Sequence, residues 1–300
     1  MSAIERITDH ERVRQILDKA KDSSEQQLEK LRSAARKIVG DATDVIIGVN
    51  GSIARREFTS GSDVDFFILT VDASVDAAND VLRRYRAALV ECGIKLPAAG
   101  GVFDAPLPIS DLTSKIGGED DTNIYITRRM LYLLEGDWVL NQKRFKELRA
   151  DLIKHYVPDD LNERKICRFL LNDVIRYWRT ICVDFEFKTA DPKKSRAIRL
   201  VKLRLSRMML YFAGVAAIKQ TSNQPAATKR ETLDRLFGIP SADRIIDVFG
   251  LEQTARALSL YATFLNAMDI PTVRERLALL WQDYSRRCSL PTCLLQYGHR

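Results

Sequence analysis

The chain has 300 residues, of which 46% are hydrophobic and 29% charged, and its formal net charge is +7. These proportions are typical of a globular protein and exclude a collagen-like, coiled-coil or largely disordered chain. The apolar stretches are shorter than the roughly 20 residues that a membrane helix needs, and residues 1–14 lack the apolar core of a signal peptide. Five cysteines without a CxxC pair and three scattered histidines argue against a disulfide scaffold or a zinc finger. We therefore expect a protein of the reducing cytoplasm without membrane association.

The amino-terminal pattern predicts two helices followed by two strands. Apolar residues at near-helical spacing predict a helix over about residues 4–17, and Ser24 with Gln27 has the spacing of a capping box that opens a second helix. The period then changes, and the β-branched run Asp44–Val49 predicts a buried strand that ends in a turn. The apolar run Val64–Leu69 predicts the next strand.

The following residues predict a helix and two edge strands. Residues 77–92 place apolar side chains on one face, and Gly93 is a typical helix stop. Two short edge strands are expected at residues 94–96 and 101–103. Further helices are predicted at residues 127–135, 163–187, 196–219, 229–237, 242–248, 251–268 and 272–286.

These elements predict an α+β fold with two lobes. The first lobe, residues 1–145, contains a small mixed sheet, and the second, residues 146–300, is entirely helical. We expect the active cleft to lie between them.

The positive charge is concentrated in one segment of the helical lobe. Residues 161–210 contain 13 lysines and arginines against five acids. Such a field attracts anions, for example triphosphates or nucleic acid, although a solvent-exposed helix face explains the same pattern. Aromatic residues lie among the basic ones, and we expect them to pack within the fold rather than to stack on bases. They are Tyr177, Trp178, Phe185 and Phe187.

A Gly-Ser pair follows the first predicted strand. Gly51 has no side chain, so backbone N–H groups there can approach a phosphate, and the start of a helical turn adds a favourable dipole. Ser52 offers a hydroxyl and an amide proton. The pair therefore predicts a phosphate contact.

Two aspartates precede the apolar part of the second strand. Asp63 and Asp65 are spaced i and i+2, so on a strand their carboxylates project from the same face. Two such carboxylates repel each other unless a cation lies between them, and a hard divalent ion shared with a triphosphate suits this donor set. Because an acidic pair beside a buried strand lowers stability, the pattern indicates a functional site.

The order of strand, Gly-Ser, short helix, Ser-Asp-x-Asp and strand resembles the signature of the DNA polymerase β-type nucleotidyltransferase superfamily. The position of Glu57 makes the chain similar to the branch of the signal-protein uridylyltransferases and their bacterial relatives. The Ala-Arg element, Ala54 and Arg55, is shared with aminoglycoside-type and minimal nucleotidyltransferases. Arg56 departs from the pattern, because many members carry glycine there. The matching positions are Gly51, Ser52, Ala54, Arg55, Glu57, Ser62, Asp63 and Asp65.

The resemblance implies a metal site and its ligands. Asp63 and Asp65 would hold Mg²⁺ or Mn²⁺, and members of the superfamily usually add a third carboxylate from a neighbouring strand. Asp104 is the best-placed candidate, although ordinary turn chemistry explains it as well. The alternatives are Asp111, Asp120 and Asp121.

The resemblance also implies nucleotide-binding residues. Basic residues of the helical lobe often reach the triphosphate in this superfamily, which points to Lys202 and Arg199, with an exposed basic face as the alternative. Arg55 is close to the Gly-Ser turn, although it suits an ion pair with Glu57 equally well. The predicted set is Gly51, Ser52, Arg55, Ser62 and Lys202.

We therefore expect a nucleotidyltransferase that moves a nucleoside monophosphate from a triphosphate to a hydroxyl and releases pyrophosphate. The acceptor stays open among a protein side chain, a nucleotide, a small molecule and an RNA end. A non-catalytic nucleotide sensor is one alternative. A nucleic-acid-binding helical protein is another, suggested only by the basic segment.

Overall fold

The computed structural model describes residues 10–40, 44–71, 74–97, 101–189, 195–277 and 279. The chain folds as α+β, with a small mixed sheet near the amino terminus followed by helices, as the sequence predicted. The first residues of the first predicted helix and the last residues of the final one lie outside the described ranges.

One helix, α1 (His10–Val39), replaces the two helices predicted for the amino-terminal region. The prediction of a capping box at Ser24 was wrong, because this residue lies inside α1 and is fully buried. Its hydroxyl donates to the carbonyl of Ala20 at 2.7 Å and accepts the N–H of Phe58 at 3.1 Å. The serine thus joins α1 to a later loop instead of beginning a helix.

The sheet has the strand order β3-β2-β1-β4. Its strands are β1 (Val45–Val49), β2 (Phe66–Thr70), β3 (Leu107–Pro108) and β4 (Asp137–Leu140). The strand β1 pairs antiparallel with both β2 and β4, whereas β2 and β3 run parallel. The sheet is therefore mixed, as expected from the sequence.

The two predicted edge strands are not formed. The Lys95 carbonyl accepts the N–H of Val64 at 2.9 Å, but residues 94–97 make no strand pairing with β2, and 101–103 form a turn. The edge position is taken by β3 instead. The acid pair also precedes β2, which begins only at Phe66.

Helices cover both faces of the sheet and form the rest of the described structure. They are α2 (Gly51–Ala54), α3 (Val75–Glu91), α4 (Ser110–Thr113), α5 (Asn123–Leu134), α6 (Gln142–Tyr156), α7 (Arg168–Thr189), α8 (Arg196–Lys202), α9 (Met208–Gln220), α10 (Ala226–Phe237), α11 (Ser241–Phe249) and α12 (Leu251–Asp269). A π-helical segment, Leu203–Arg207, connects α8 to α9. Within the described ranges, no helix combines the length and the apolar character that crossing a bilayer requires. The predicted lobe boundary at residue 145 falls within α6, and the division into lobes stays a prediction.

The alternation of side chains along β1 divides the core into two layers. Ile47 packs with α1 and α3 on one face, whereas Ile46 packs with the later helices on the other. Phe67 of β2 lies against Gly48, where an added Cβ would approach the ring to 2.3 Å. The β-branched run thus buries both of its faces, and this fixes the end of β1 where the candidate site begins.

Candidate active site

The Gly-Ser turn and the acid pair lie in direct contact. The N–H of Asn50 donates to the carbonyl of Asp65 at 2.9 Å, which extends the β1–β2 pairing beyond the strands. Gly51 has a φ of 74°, and a Cβ added there would lie 2.6 Å from Oδ2 of Asp65. Glycine is therefore favoured both by the left-handed backbone and by the approach of the carboxylate.

The acid pair carries an unfavourable charge in this position. Asp63 and Asp65 flank Val64, which is buried. Burial and then the negative charge of Asp63 raise the pKa of Asp65 to about 6, against the opposing charges of Arg207 and Arg55. A proton or a cation bound here would relieve this repulsion.

A cleft of about 750 Å³ opens above the acid pair. This volume lies within the usual range of small-molecule sites. Its lining includes the apolar side chains of Phe66, Phe103 and Ile124 and the basic side chains of Arg199 and Arg207. Residues of β2, α5, α7 and α8 line the cleft, so both the α/β part and the later helices contribute to it.

Besides the two aspartates, the buried acid Glu135 also lines the cleft. It accepts the N–H of Gly51 at 3.0 Å and binds the guanidinium groups of Arg55 and Arg207, the latter at 3.2 Å. Burial would raise the pKa of Glu135, but the two arginines and the Gly51 N–H outweigh burial and hold that pKa below its ordinary value. Sequence reasoning missed this residue, and its only signal was an acid directly after an apolar helix.

Residues 2–106 match the family described as "Putative nucleotidyltransferase DUF294". The resemblance to nucleotidyltransferases is confirmed. The matched segment contains the Gly-Ser turn and both aspartates, but it ends before Glu135 and before the basic helices. No curated protein matches the chain.

Within the matched segment, Arg55 makes the ion pair that the sequence offered as the alternative to a phosphate contact. Its Nε donates to Glu57 at 3.0 Å, and its Nη1 binds Glu135. Glu57 also accepts the hydroxyls of Ser206, at 2.6 Å, and of Tyr261. These buried pairs join the matched segment to the π-helical segment and to α12. The phosphate-binding role of Arg55 stays a prediction.

The remaining predicted nucleotide-binding residues occupy the surroundings of the turn. Ser52 is half-buried beside Gly51, and the hydroxyl of Ser62 accepts the N–H of Thr59 at 3.1 Å, which orders the loop before the acid pair. Lys202 lies at the end of α8. Desolvation and then the charge of Arg274 lower the pKa of Lys202, while the charge of Asp63 opposes them. Lys202 therefore lies within electrostatic reach of the acid pair, and its contact with phosphate stays a prediction.

The proposed third carboxylate, Asp104, lines the same cleft as the acid pair. It forms an ion pair with Arg86 at 3.7 Å. Among its alternatives, Asp121 is committed to a buried ion pair with Arg129 at 2.8 Å, and Asp111 pairs with Arg128 at 3.4 Å. Within the described ranges, no three acidic, histidine or cysteine side chains form a group that could hold a metal ion. The metal-binding role of Asp104 stays a prediction.

The two aspartates of the pair nevertheless fit a divalent cation. Both offer hard oxygen donors, and the raised pKa of Asp65 shows that its charged form needs compensation. Mg²⁺ commonly takes one or two carboxylates and completes its shell with waters and substrate phosphates. Two protein carboxylates are therefore a sufficient donor set for such an ion.

Arg56, which departs from the superfamily pattern, adopts the conformation that glycine usually supplies. Its φ is 60°. Its guanidinium binds Glu25 at 2.7 Å and Asp137 at 2.8 Å, and it also donates to the carbonyl of Ala54 at 3.0 Å. The arginine thus preserves the left-handed turn and attaches it to α1 and β4, so its side chain is engaged within the protein.

Proposed function

We propose that the chain is a divalent-metal-dependent nucleotidyltransferase. It would transfer a nucleoside monophosphate from a nucleoside triphosphate to a hydroxyl and release pyrophosphate. The observation that carries the proposal is the contact between the Asp65 carboxylate and Gly51, beside Asp63, at the floor of a cleft lined by arginines. The family match supports nucleotidyl transfer as the reaction class.

Asp63 and Asp65 are the residues that would hold Mg²⁺ or Mn²⁺. Such an ion, when bound, neutralises charge on the phosphates and makes an attacking hydroxyl more acidic. The raised pKa of Asp65 fits this role, because a carboxylate held near other negative charge gains most from a bound cation. The chain's own contribution is to hold two oxygen donors in a cleft that admits the nucleotide.

The arginines that line the cleft would position the triphosphate. Arg199 and Arg207 both line the cleft, and Arg207 is held in place by its ion pair with Glu135. Nucleotidyl transfer requires alignment of the reacting groups and neutralisation of charge rather than covalent chemistry by the protein. The apolar wall would exclude water from the reacting phosphate and offer a surface to the base.

The acceptor belongs to one of the hydroxyl-bearing classes: a protein side chain, a nucleotide, a small molecule or an RNA end. The arginines in the cleft favour an acceptor that carries negative charge. Identification of the labelled product decides among these classes, because each gives a product of different size and stability to protease and nuclease.

The test is nucleotide turnover with matched variants. The purified protein is incubated with each of the four ribonucleoside triphosphates, labelled at the α-phosphate, with Mg²⁺ or Mn²⁺, alone and with cell extract. We expect Asp63→Asn and Asp65→Asn to lose about 100-fold or more of the activity, because charge stabilisation worth several kcal/mol is removed. The control is Asp80→Asn, which removes an exposed acid of α3 that pairs with Arg83. Turnover that persists in EDTA, or in both cleft variants, would refute the proposal.

A nucleotide-binding protein without turnover is the second candidate. It is favoured by one observation: in the part of the chain that the structure describes, no third acid joins the pair in a metal-binding group. This candidate predicts that a triphosphate binds together with Mg²⁺ but releases no pyrophosphate with any extract. Release of pyrophosphate that depends on Asp63, with transfer of the α-phosphate label to a product, excludes it.

A further inference from the structure

Two residues that line the candidate cleft each carry a buried polar atom without a hydrogen-bond partner among the described residues. The two atoms are Oδ1 of Asn50 and the hydroxyl oxygen of Tyr177. Both residues line the cleft, and their exposed fractions are only 5% and 2%. Buried polar atoms in native proteins are nearly always paired. Two orphaned atoms in one cleft therefore indicate a ligand that completes both hydrogen bonds.

Asn50 is fixed by its backbone and leaves its side chain available. Its N–H is bound to the carbonyl of Asp65, which places it beside the acid pair. It occupies the N-cap position of α2, where asparagine commonly accepts a backbone N–H, yet its side chain makes no such bond. The amide oxygen is thus unused by the local structure.

Tyr177 approaches from the helical side of the cleft, on α7. Its hydroxyl lies within electrostatic range of Glu135 and Arg207, but it bonds to neither. The two residues come from different parts of the chain, since Asn50 belongs to the α/β part and Tyr177 to the later helices.

The chemistry of these atoms restricts the ligand group. An amide oxygen only accepts hydrogen bonds, so the oxygens of an ionised triphosphate cannot satisfy Asn50. The attacking hydroxyl of an acceptor loses its proton during transfer, so it is not a lasting donor either. A ribose carries two neighbouring hydroxyls that do not react, and each can both donate and accept. One of the two can donate to the amide oxygen of Asn50, and the other can pair with the hydroxyl of Tyr177.

We propose that Asn50 and Tyr177 bind the 2′- and 3′-hydroxyls of the nucleotide ribose and make the cleft selective for ribonucleoside over deoxyribonucleoside triphosphates. This inference rests on the proposed function, because it assumes that the cleft holds a nucleoside triphosphate. It adds a sugar subsite to that function, and half of the subsite lies beyond the matched family segment.

The test measures equilibrium binding without an acceptor. The four ribonucleoside triphosphates are first compared in the presence of Mg²⁺, and the tightest is then compared with its 2′-deoxy and 3′-deoxy forms. We expect the wild-type protein to bind the ribo form about tenfold more tightly, the ratio that one neutral hydrogen bond supplies. Asn50→Ala and Tyr177→Phe should each weaken binding of the ribo form. For each variant the ratio should fall to about threefold or less against one of the two deoxy forms, the one that lacks the hydroxyl bound by the replaced residue. The affinity of the variant for that deoxy form should change little.

The controls separate binding from folding. Tyr177→Phe keeps the ring and deletes only the unpaired hydroxyl, so its melting temperature without nucleotide should equal or exceed that of the wild type. Tyr211→Phe removes a hydroxyl from a half-buried tyrosine of α9 that stacks on Trp178, and it should preserve the full preference for the ribo form.

Each outcome has one meaning. Loss of the preference over one deoxy form in each variant supports the inference. Absence of a preference in the wild type, or a variant whose preference over both deoxy forms is unchanged while nucleotide still binds, overturns the sugar subsite and leaves the proposed function intact. Failure of every triphosphate to bind with Mg²⁺ or Mn²⁺ overturns the proposed function itself.

Discussion

Replacement of Asp65 by asparagine should stabilise the metal-free protein at neutral pH. The substitution keeps the size of the side chain and removes a charge that burial and Asp63 make unfavourable. In the unfolded chain this carboxyl titrates near its ordinary value of 3.8, whereas in the folded protein its pKa is raised to about 6. The folded state therefore holds the proton more tightly, and the ionised carboxylate lowers stability.

The magnitude follows from the two pKa values. The difference between 3.8 and about 6 corresponds to an upper limit of about 3 kcal/mol in the free energy of unfolding. Asp65 is partly exposed, and solvent screening reduces this to about 1–2 kcal/mol. The destabilising effect is absent below about pH 4, grows as the pH rises towards 6 and is complete above it. Asp63→Asn should stabilise by less, because it removes only the second cause of the shift.

The assay is urea-induced unfolding in EDTA at pH 5 and pH 7.5. Asp65→Asn should gain about 1–2 kcal/mol over the wild type at pH 7.5 and clearly less at pH 5. Added Mg²⁺ and nucleotide should stabilise the wild type and not the variant, because ligands that bind only the folded state raise its stability. A variant that is less stable than the wild type at pH 7.5, or a gain that does not change with pH, would refute this account of the acid pair.

Three further substitutions test the surroundings of the pair by urea unfolding and nucleotide binding. Gly51→Ala should lose about 1–3 kcal/mol together with nucleotide binding, because its Cβ would meet Asp65 at 2.6 Å. The control is Gly40→Ala, because Gly40 is also left-handed but an added Cβ there would meet nothing within 4 Å. This variant should lose only about 1 kcal/mol of stability and bind nucleotide normally. Equal effects of the two substitutions would contradict the contact between Gly51 and Asp65. Glu135→Gln should destabilise by about 3 kcal/mol or more, since the buried Arg55 then keeps only one of its two carboxylate partners and Arg207 loses its ion pair. A loss below about 1 kcal/mol would contradict this. Arg56→Gly should be about 1 kcal/mol more stable than Arg56→Ala. Both variants lose the ion pairs of Arg56, but only glycine suits a φ of 60°. If the alanine variant were the more stable of the two, the turn would be unstrained.

The sequence predicted best those features that depend on residues close together in the chain. The strands β1 and β2, the turn at Gly51 and the position of the two aspartates fall within a short segment, and short apolar runs and glycine conformation act over a few residues. The α+β class with a small mixed sheet was also predicted correctly, although the strands at both edges of the sheet were not. The two-residue strand β3 and the four-residue strand β4 were missed, because strands of this length are too short for a periodic pattern.

Contacts between distant residues could not be predicted. Ser24 has the spacing of a helix cap, but its hydroxyl binds Phe58, 34 residues away, and α1 continues through it. Glu135 binds Gly51, 84 residues away, so its importance appears only when the chain is folded. Arg55 had two compatible interpretations because a guanidinium suits a carboxylate and a phosphate alike, and the structure engages it with carboxylates.

The hydrogen bonds of Glu57 reach far along the chain. Two of its donors, Ser206 and Tyr261, follow it by 149 and 204 residues, and Asp269 binds the backbone N–H of Ser60 at 2.9 Å. A fragment cut at residue 106, where the family match ends, would keep a buried acid while discarding the groups that hydrogen-bond to it. The segment that matches the family is thus smaller than the unit held together by these buried contacts, which extends into α12.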